Sequence, residues 1–234
     1  MIRWIAFDAD DTLWENEKYY YAGQVKLADL LSYYLTYDEV QAELLRTETD
    51  NMPLYGYGIK AFGLSMIETA IRVSNGAVGS REVSVILDHL RSMLEQQTEV
   101  FSGVVEVLEA LKPDYQLMVI TKGDILDQER KLLKSGLEKY FFAYEVVSDK
   151  KHDTYKQILN RHNITPNQFL MVGNSLRSDV LPVVKLGGYG VYIPHSFTWE
   201  HEVISDVTPH DDGFIQISAM SELLGVVQRL NNHN

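Results

Sequence analysis

The sequence contains no cysteine, and this absence removes several kinds of chemistry at once. Without thiols the chain can form no disulfide bond, no thiolate zinc site and no covalent intermediate on a cysteine nucleophile. Positive charge is also scarce, because 21 lysines and arginines stand against 33 aspartates and glutamates, for a formal net charge of −12. Nucleic acids and anionic membranes require a basic face, so we expect neither as a partner.

Long apolar runs are missing as well, and none approaches the length of a membrane-spanning helix. The first predicted strand, residues 3–7, begins so early that it leaves no room for a secretory signal peptide. We therefore expect a cytoplasmic protein, present as a monomer or a homodimer. With 234 residues, of which 45% are hydrophobic, the chain is long enough to build one or two domains with a substantial core.

From about residue 101 onward, short apolar runs alternate with amphipathic helical segments. Apolar strands that are separated by helices are typical of a parallel sheet whose two faces are both covered. The predicted fold class is therefore α/β, with a Rossmann-like, three-layer parallel sheet. The predicted strands are residues 3–7, 115–121, 144–148, 169–174, 189–194 and 213–218.

One block interrupts this alternation, because residues 15–98 carry mostly helical periodicity. We interpret residues 15–98 as an inserted all-helical domain, and residues 1–14 with 99–234 as the α/β core domain. Lys60 and the tyrosines of the insertion have two interpretations: they line a substrate pocket, or the tyrosines pack in a helical core and Lys60 is solvated. We favour the second interpretation, since tyrosine at helical spacing usually packs.

Polar side chains cluster where four of the predicted strands end. Ligands bind at the carboxyl ends of the strands in parallel sheets, so these side chains form the candidate site. Each has an ordinary alternative on its own, such as a helix cap, a turn residue or a solvated lysine. We do not expect the alternatives to hold together on four successive strand ends. The residues concerned are Asp8, Asp10, Thr12, Thr121, Lys122, Gly123, Lys150, Gly173, Asn174 and Asp179.

This set resembles the motifs of the haloacid dehalogenase superfamily, and the resemblance covers nearly the whole chain. The first motif of that family, D-x-D-x-T after a strand, matches the segment from Asp8 to Thr12. The second, a Thr or Ser at the end of the next core strand, matches Thr121. In family members with a helical insertion after the first motif, the insertion is a substrate-selecting cap, which implies that residues 15–98 form such a cap.

The third and fourth motifs each contain an ambiguity. The third is a lysine before a helix, and it matches Lys150 or its neighbour Lys151. The fourth, G-D-x-x-x-x-D, is met by Gly173, Asn174 and Asp179. Asn174 therefore stands where the family usually has an acidic metal ligand, and an amide oxygen brings no charge to the metal.

The resemblance implies a magnesium-dependent phosphatase that acts on a small phosphate ester. Asp8 would form an aspartyl phosphate, and Asp10 would protonate the leaving alcohol and later activate water. Thr121 would donate a hydrogen bond to the phosphoryl group, and Lys150 would balance its charge. The implied substrate-binding residues are Thr12, Lys122, Gly123 and Trp14. The implied Mg²⁺ ligands are Asp8, Asp10 through its backbone carbonyl, Asn174 and Asp179.

Other functions stay open at this point. Hydrolytic dehalogenases of the superfamily lack the second acid, since they have no leaving alcohol to protonate, whereas phosphatases and phosphomutases need it. Asp10 therefore favours a phosphatase over a dehalogenase and leaves a phosphomutase open. Asn174 keeps open a dehalogenase-type hydrolase and a catalytically silent protein that binds a phosphorylated ligand. Asp11 is expected to turn away from the site. Three histidines match no zinc spacing and are expected to be solvated: His195, His201 and His210.

Overall fold

The structure is a computed structural model that describes residues 1–195 and 213–232. Its described part contains one sheet of six parallel strands, in the order β3-β2-β1-β4-β5-β6. The α/β fold predicted from the sequence is therefore confirmed. The strands are β1 Trp4–Phe7, β2 Gln116–Lys122, β3 Ala143–Val147, β4 Phe169–Gly173, β5 Tyr189–Tyr192 and β6 Phe214–Gln216.

Side chains of the central strands alternate between two separate apolar cores, as the period of two in a strand requires. In β1, Ile5 and Phe7 belong to one core, while Ala6 belongs to the other. β4 repeats this pattern, with Leu170 in the first core and Met171 in the second. Both faces of the sheet are thus buried, which explains why these strands are apolar throughout and not alternating in sequence.

Helices of the α/β region supply the other half of each core. The first core takes buried side chains from α5 (Val104–Leu111) and α9 (Leu223–Asn232). The second takes them from α7 (His152–Arg161) and α8 (Leu181–Val184). Residues of β1 lie between β2 and β4 in register, so whatever follows Phe7 emerges at the centre of the sheet edge.

The chain divides into two compact units. The α/β unit comprises residues 1–17, 98–122 and 131–234, and the helical unit comprises residues 18–97 and 123–130. Four helices of the helical unit bury a core of their own, which includes Leu27, Leu44, Phe62 and Ile86. These helices are α1 Glu17–Leu31, α2 Tyr37–Tyr55, α3 Ile59–Val73 and α4 Ser80–Glu95.

Two local features differ from simple sequence patterns. α2 continues through Pro53 and ends before Gly56, whose φ of 68° is readily available to glycine. The segment before α8 is a five-residue π-helical turn, Leu176–Val180. In residues 1–195 and 213–232, no helix is both long and apolar enough to cross a membrane. His201 and His210, for which the sequence predicted solvated loops, lie outside the described residues.

Candidate active site

The carboxyl end of the central strand β1 places acidic residues at the middle of the sheet edge. The backbone N–H of Asp8 still donates to Val172 of β4 at 2.8 Å, so Asp8 is held by the sheet itself. Its side chain is buried, with a relative accessibility of 6% for the residue. A buried carboxylate is costly without compensating partners, and the neighbouring strand ends supply them.

Lys150 is the main partner of Asp8. Its ammonium group contacts Oδ1 of Asp8 and lies 2.7 Å from Oδ1 of Asp179, and Lys150 itself is 2% exposed. Lys151 is exposed instead and pairs with Asp149 at 2.7 Å. Of the two lysines that match the third motif, only Lys150 therefore lies among the buried acids.

Charge and burial oppose each other in this group. Burial raises the pKa of Asp8 to about 7, because the loss of solvent outweighs the attraction of Lys150. Burial alone would lower the pKa of Lys150, but the carboxylates of Asp179 and Asp8 more than reverse this and raise it. Lys150 therefore stays cationic at neutral pH, between two acids that would otherwise repel each other.

Thr12 links the first and fourth motifs. Its hydroxyl donates to Oδ2 of Asp8 at 3.0 Å and accepts the backbone N–H of Asn174 at 3.1 Å. The amide oxygen of Asn174 lies 3.4 Å from the same hydroxyl. Thr12 thus connects Asp8 to the loop after β4 and helps to position both.

The side chain of Asp179 packs directly against the backbone of Gly173, where a larger residue would leave no room for it. Its Oδ2 accepts the backbone N–H of Ser175 at 3.0 Å, while Oδ1 receives Lys150. A Cβ atom at Gly173 would lie 2.2 Å from Oδ2 of Asp179, far inside van der Waals contact. The glycine of the fourth motif therefore makes room for its aspartate.

Asp10 carries the second carboxylate of the first motif and is held by two donors. The indole N–H of Trp14 donates to Oδ1 at 2.7 Å. The ammonium group of Lys131 donates to Oδ1 and Oδ2 at 3.0 and 3.1 Å. Trp14, which its place directly after the first motif suggested for substrate binding, is fully buried in the core of the α/β unit and donates this bond to Asp10.

The end of β2 contributes Thr121, Lys122 and Gly123, as the second motif predicts. Thr121 is 1% exposed, and its hydroxyl lies 3.3 Å from the carbonyl of Lys122. Lys122 donates to the hydroxyl of Ser178 at 3.0 Å, which ties β2 to the π-helical turn. Gly123 follows with a φ of 140°, a backbone conformation that other residues rarely adopt.

The oxygen atoms near Asp8 fit the chemistry of a magnesium ion. Mg²⁺ prefers hard oxygen ligands and retains several waters, and Asp8 and Asn174 present a carboxylate and an amide oxygen around the same Thr12 hydroxyl. Asp179 already holds Lys150 and the Ser175 N–H with its two oxygens, so it is better placed to orient the site than to ligate metal directly.

A second group of potential metal ligands was not found from the sequence. Asp11, Glu15 and His195 bring ligand atoms within 4.8 Å of one another. Asp11 has a φ of 61°, accepts the backbone N–H groups of Asn16 and Glu17, and has a pKa that burial raises to about 6. His195 was expected to be solvated, but its side chain is only 13% exposed and lies beside the two acids. It is distant in sequence and matches no motif, so no pattern linked it to them.

In the helical unit, some of the tyrosines pack against the core, whereas Tyr21 and Tyr55 are exposed. Tyr19 and Tyr20 lie against its apolar core, and Tyr20 packs on Phe62 with ring centroids 5.0 Å apart. Lys60 is 55% exposed in its side chain and pairs with Asp124 at 2.8 Å. The packing of Tyr19 and Tyr20 follows the interpretation favoured from the sequence, while Lys60 is partly exposed and paired with an acid.

Comparison with known proteins identifies the family. A sequence profile described as a haloacid dehalogenase-like hydrolase matches residues 2–187. The chain belongs to this family. The assignment made from the four motifs is thereby confirmed, and the site described above is the candidate active site of a haloacid dehalogenase-like hydrolase.

Proteins that are similar to this hydrolase in sequence include phosphatases, and those that share its fold include dehalogenases. A haloacid dehalogenase-like family hydrolase from Xanthomonas campestris is 36% identical, with a TM-score of 0.89 over 99% of this chain and 93% of that one. Human N-acylneuraminate-9-phosphatase is 23% identical over 191 residues, which are 76% of this chain and 77% of that protein. A 2-haloacid dehalogenase from Pseudomonas syringae is 19% identical, with a TM-score of 0.65 over 98% and 99% of the chains, and this likeness concerns the fold alone.

Proposed function

We propose that this hydrolase is a magnesium-dependent phosphatase of a small phosphorylated metabolite and that it works through an aspartyl phosphate on Asp8. The observation that carries the proposal is the second carboxylate, Asp10, two residues after Asp8 and held in place by Trp14 and Lys131. An alkoxide leaving group needs a proton, and a carboxyl group at this position can supply it. The similarity to human N-acylneuraminate-9-phosphatase also supports a phosphatase.

The first half of the reaction transfers the phosphoryl group to the protein. An oxygen of Asp8 bonds to phosphorus, the ester P–O bond breaks, and Asp10 gives its proton to the departing alkoxide. Lys150 balances the charge of Asp8, and Thr121 with the N–H groups that follow it, in Lys122 and Gly123, donates to the phosphoryl oxygens. Asp8, Asn174 and the backbone carbonyl of Asp10 would hold Mg²⁺, which would supply charge neutralisation for the anionic ester.

The second half releases phosphate. Asp10, now ionised, takes a proton from a water molecule that attacks phosphorus, and the bond between phosphorus and the Asp8 oxygen breaks. The products are inorganic phosphate and the regenerated Asp8 carboxylate. We also propose that residues 15–98 act as the cap that selects the substrate.

The test is release of phosphate from a panel of esters with and without Mg²⁺. The panel contains glycerol phosphate, glucose 6-phosphate, N-acetylneuraminate 9-phosphate and p-nitrophenyl phosphate. We expect turnover of at least one ester that is abolished by a chelator and by Asp8→Asn. The matched control is Asp114→Asn, an exposed acid of the same unit, which should retain wild-type rates. Absence of release from every ester by a folded protein would contradict the proposal.

A dehalogenase is the second candidate, and Asn174 is the residue that favours it. A neutral amide in place of the usual acid weakens the expected affinity for Mg²⁺, and a dehalogenase needs no metal. In that reaction Asp8 would displace halide from carbon, and water would then hydrolyse the resulting ester. Release of halide from a 2-haloacid in the presence of a chelator, with no phosphate release from the panel, would establish this alternative.

A further inference from the structure

Lys131 lies outside all four motifs, yet it contacts the proposed acid–base residue. It belongs to α6 (Ile125–Ser135), and its ammonium group binds both oxygens of Asp10. The same ammonium group donates to the side-chain oxygen of Asn16 at 2.7 Å, and Asn16 is buried. Three oxygens from two residues therefore surround one cation.

The burial of this ion pair distinguishes it from an ordinary surface contact. The side chains of Lys131 and Asp10 are 15% and 21% exposed. By comparison, the surface pair of Arg91 and Asp88 has side chains that are 70% and 69% exposed. Exposed ion pairs are screened by solvent and cost side-chain entropy, so they hold neither side chain in one orientation. A mostly buried pair with several donors can hold a carboxylate in one orientation.

We propose that Lys131 is a positioning residue for Asp10, a role that rests on the proposed phosphatase activity. Trp14 holds one oxygen of the carboxylate from the β1 side, and Lys131 holds both oxygens from α6. Proton transfer to a leaving group depends steeply on the placement of the acid. In the proposed mechanism Lys131 acts through its two bonds to Asp10 and takes no direct part in the transfer of the phosphoryl group.

This role predicts that the effect of Lys131 depends on the leaving group. An alkyl phosphate expels a basic alkoxide and needs the proton of Asp10, whereas p-nitrophenyl phosphate expels a stable phenolate and does not. The parameter kcat/KM covers the steps up to the first transfer of phosphoryl to Asp8. Loss of Lys131 should therefore lower kcat/KM for the alkyl ester and leave the value for the aryl ester nearly unchanged.

The experiment compares Lys131→Met and Lys131→Arg with wild type on both ester classes, using the alkyl phosphate that the panel shows to be turned over fastest. We expect Lys131→Met to lose roughly 10- to 100-fold in kcat/KM on the alkyl ester. On p-nitrophenyl phosphate the change should stay within about twofold, and Lys131→Arg should recover much of the loss. Lys156→Met, the same change at an exposed lysine of α7, is the matched control and should equal wild type on both esters.

A double-mutant cycle separates positioning from general damage. In an Asp10→Asn background, Lys131→Met should cause little further loss on the alkyl ester, since the group it positions is already gone. Equal losses on both esters, or fully additive losses in the cycle, would overturn the role of Lys131 while leaving the phosphatase proposal intact. If wild type releases no phosphate from any ester, the proposed function fails first and the inference fails with it.

Discussion

At the scale of single residues, one buried lysine organises the charges of the site. Lys150 contacts Asp8 and Asp179, two acids that lie 171 positions apart in the chain and are brought together by β1 and the turn after β4. The loss of one partner from such a group leaves an uncompensated buried charge, which costs far more than the pair itself contributes. The lysine thus serves both the fold and the charge balance that the proposed chemistry needs.

Gly173 offers a sharp test of this packing. In Gly173→Ala the new Cβ would lie 2.2 Å from Oδ2 of Asp179, so the carboxylate must move away from Lys150 and the Ser175 N–H. We expect kcat/KM for phosphate release to fall by about 100-fold, since small displacements in a site have effects of this size. Steady-state kinetics measures the fall in kcat/KM, and a thermal melt measures the change in stability of the folded protein.

The control for this change is Gly225→Ala in α9, where the nearest atom to a new Cβ is 3.6 Å away. Alanine is a better helix former than glycine, so this variant should keep wild-type activity and gain about 0.5–1 kcal/mol of stability. Wild-type kinetics in Gly173→Ala would show that the position of Asp179 does not matter to the reaction.

Residue patterns in the sequence predicted part of this site well and part of it not at all. Asp8, Thr12, Lys150 and Asp179 fall at fixed spacings after strands, so their convergence could be predicted. Lys131 could not, because one lysine on an amphipathic helix has no pattern that distinguishes a buried partner of Asp10 from a solvated side chain. Its role depends on the packing of α6, which is a tertiary property.

At the scale of elements, α2 combines a helical pattern with an internal proline, which usually opposes helix formation. It begins with a capping box between Thr36 and Glu39 and runs on through Pro53 to Tyr55. The residues from 51 onward are rich in glycine and aromatic side chains, a composition that locally favours a loop or a helix entry. Tertiary packing overrides this local signal: the buried amide of Asn51 in the last turns of the helix donates to Ser65 at 3.2 Å and to Glu68 at 2.8 Å.

Strand positions were predictable for a different reason. The six strands lie within about two residues of the apolar runs that predicted them, because strands buried on both faces read as continuous apolar segments. No pattern in the sequence distinguished the π-helical turn Leu176–Val180 or the four-residue length of α8. The turn brings Ser178 and Asp179 to the site, where they bind Lys122 and Lys150. Single π-helical turns often occur at functional sites.

Glu48 of α2 gives this helix a testable dependence on pH. Burial raises the pKa of its side chain from 4.5 to about 7 in the folded protein. The contribution of this group to stability is therefore complete below about pH 4.5 and is lost as the pH rises toward 7. Glu48→Gln, which does not titrate, should lack this loss.

We expect Glu48→Gln to be more stable than wild type at about pH 8, by on the order of 2 kcal/mol, and the advantage to shrink as the pH falls toward 5. Urea denaturation at both pH values measures the difference. Asp50→Asn, which alters an exposed acid of the same helix, is the control and should show no such trend. A constant difference between Glu48→Gln and wild type at both pH values would contradict the burial of Glu48.

At the scale of the whole molecule, the chain joins an α/β unit that carries the site to a separately packed helical unit. The interrupted alternation of strands and helices predicted an insertion, but not that residues 123–130 would group with the helical unit. These residues come between a core strand and the second half of α6, and their polar sequence carries no mark of either unit. The residues that match the four family motifs all lie in the α/β unit.

The proposed function depends on one covalent event, phosphoryl transfer to Asp8. Asp10→Asn should slow hydrolysis of the intermediate more than its formation from p-nitrophenyl phosphate, because the aryl leaving group needs no proton. This variant, mixed with the aryl ester and Mg²⁺ and quenched in acid, is the direct test. Mass spectrometry of the peptide that contains Asp8 should find the added mass of one phosphoryl group on that residue, and none in Asp8→Asn. Steady turnover of the ester without any adduct on Asp8 would contradict the account.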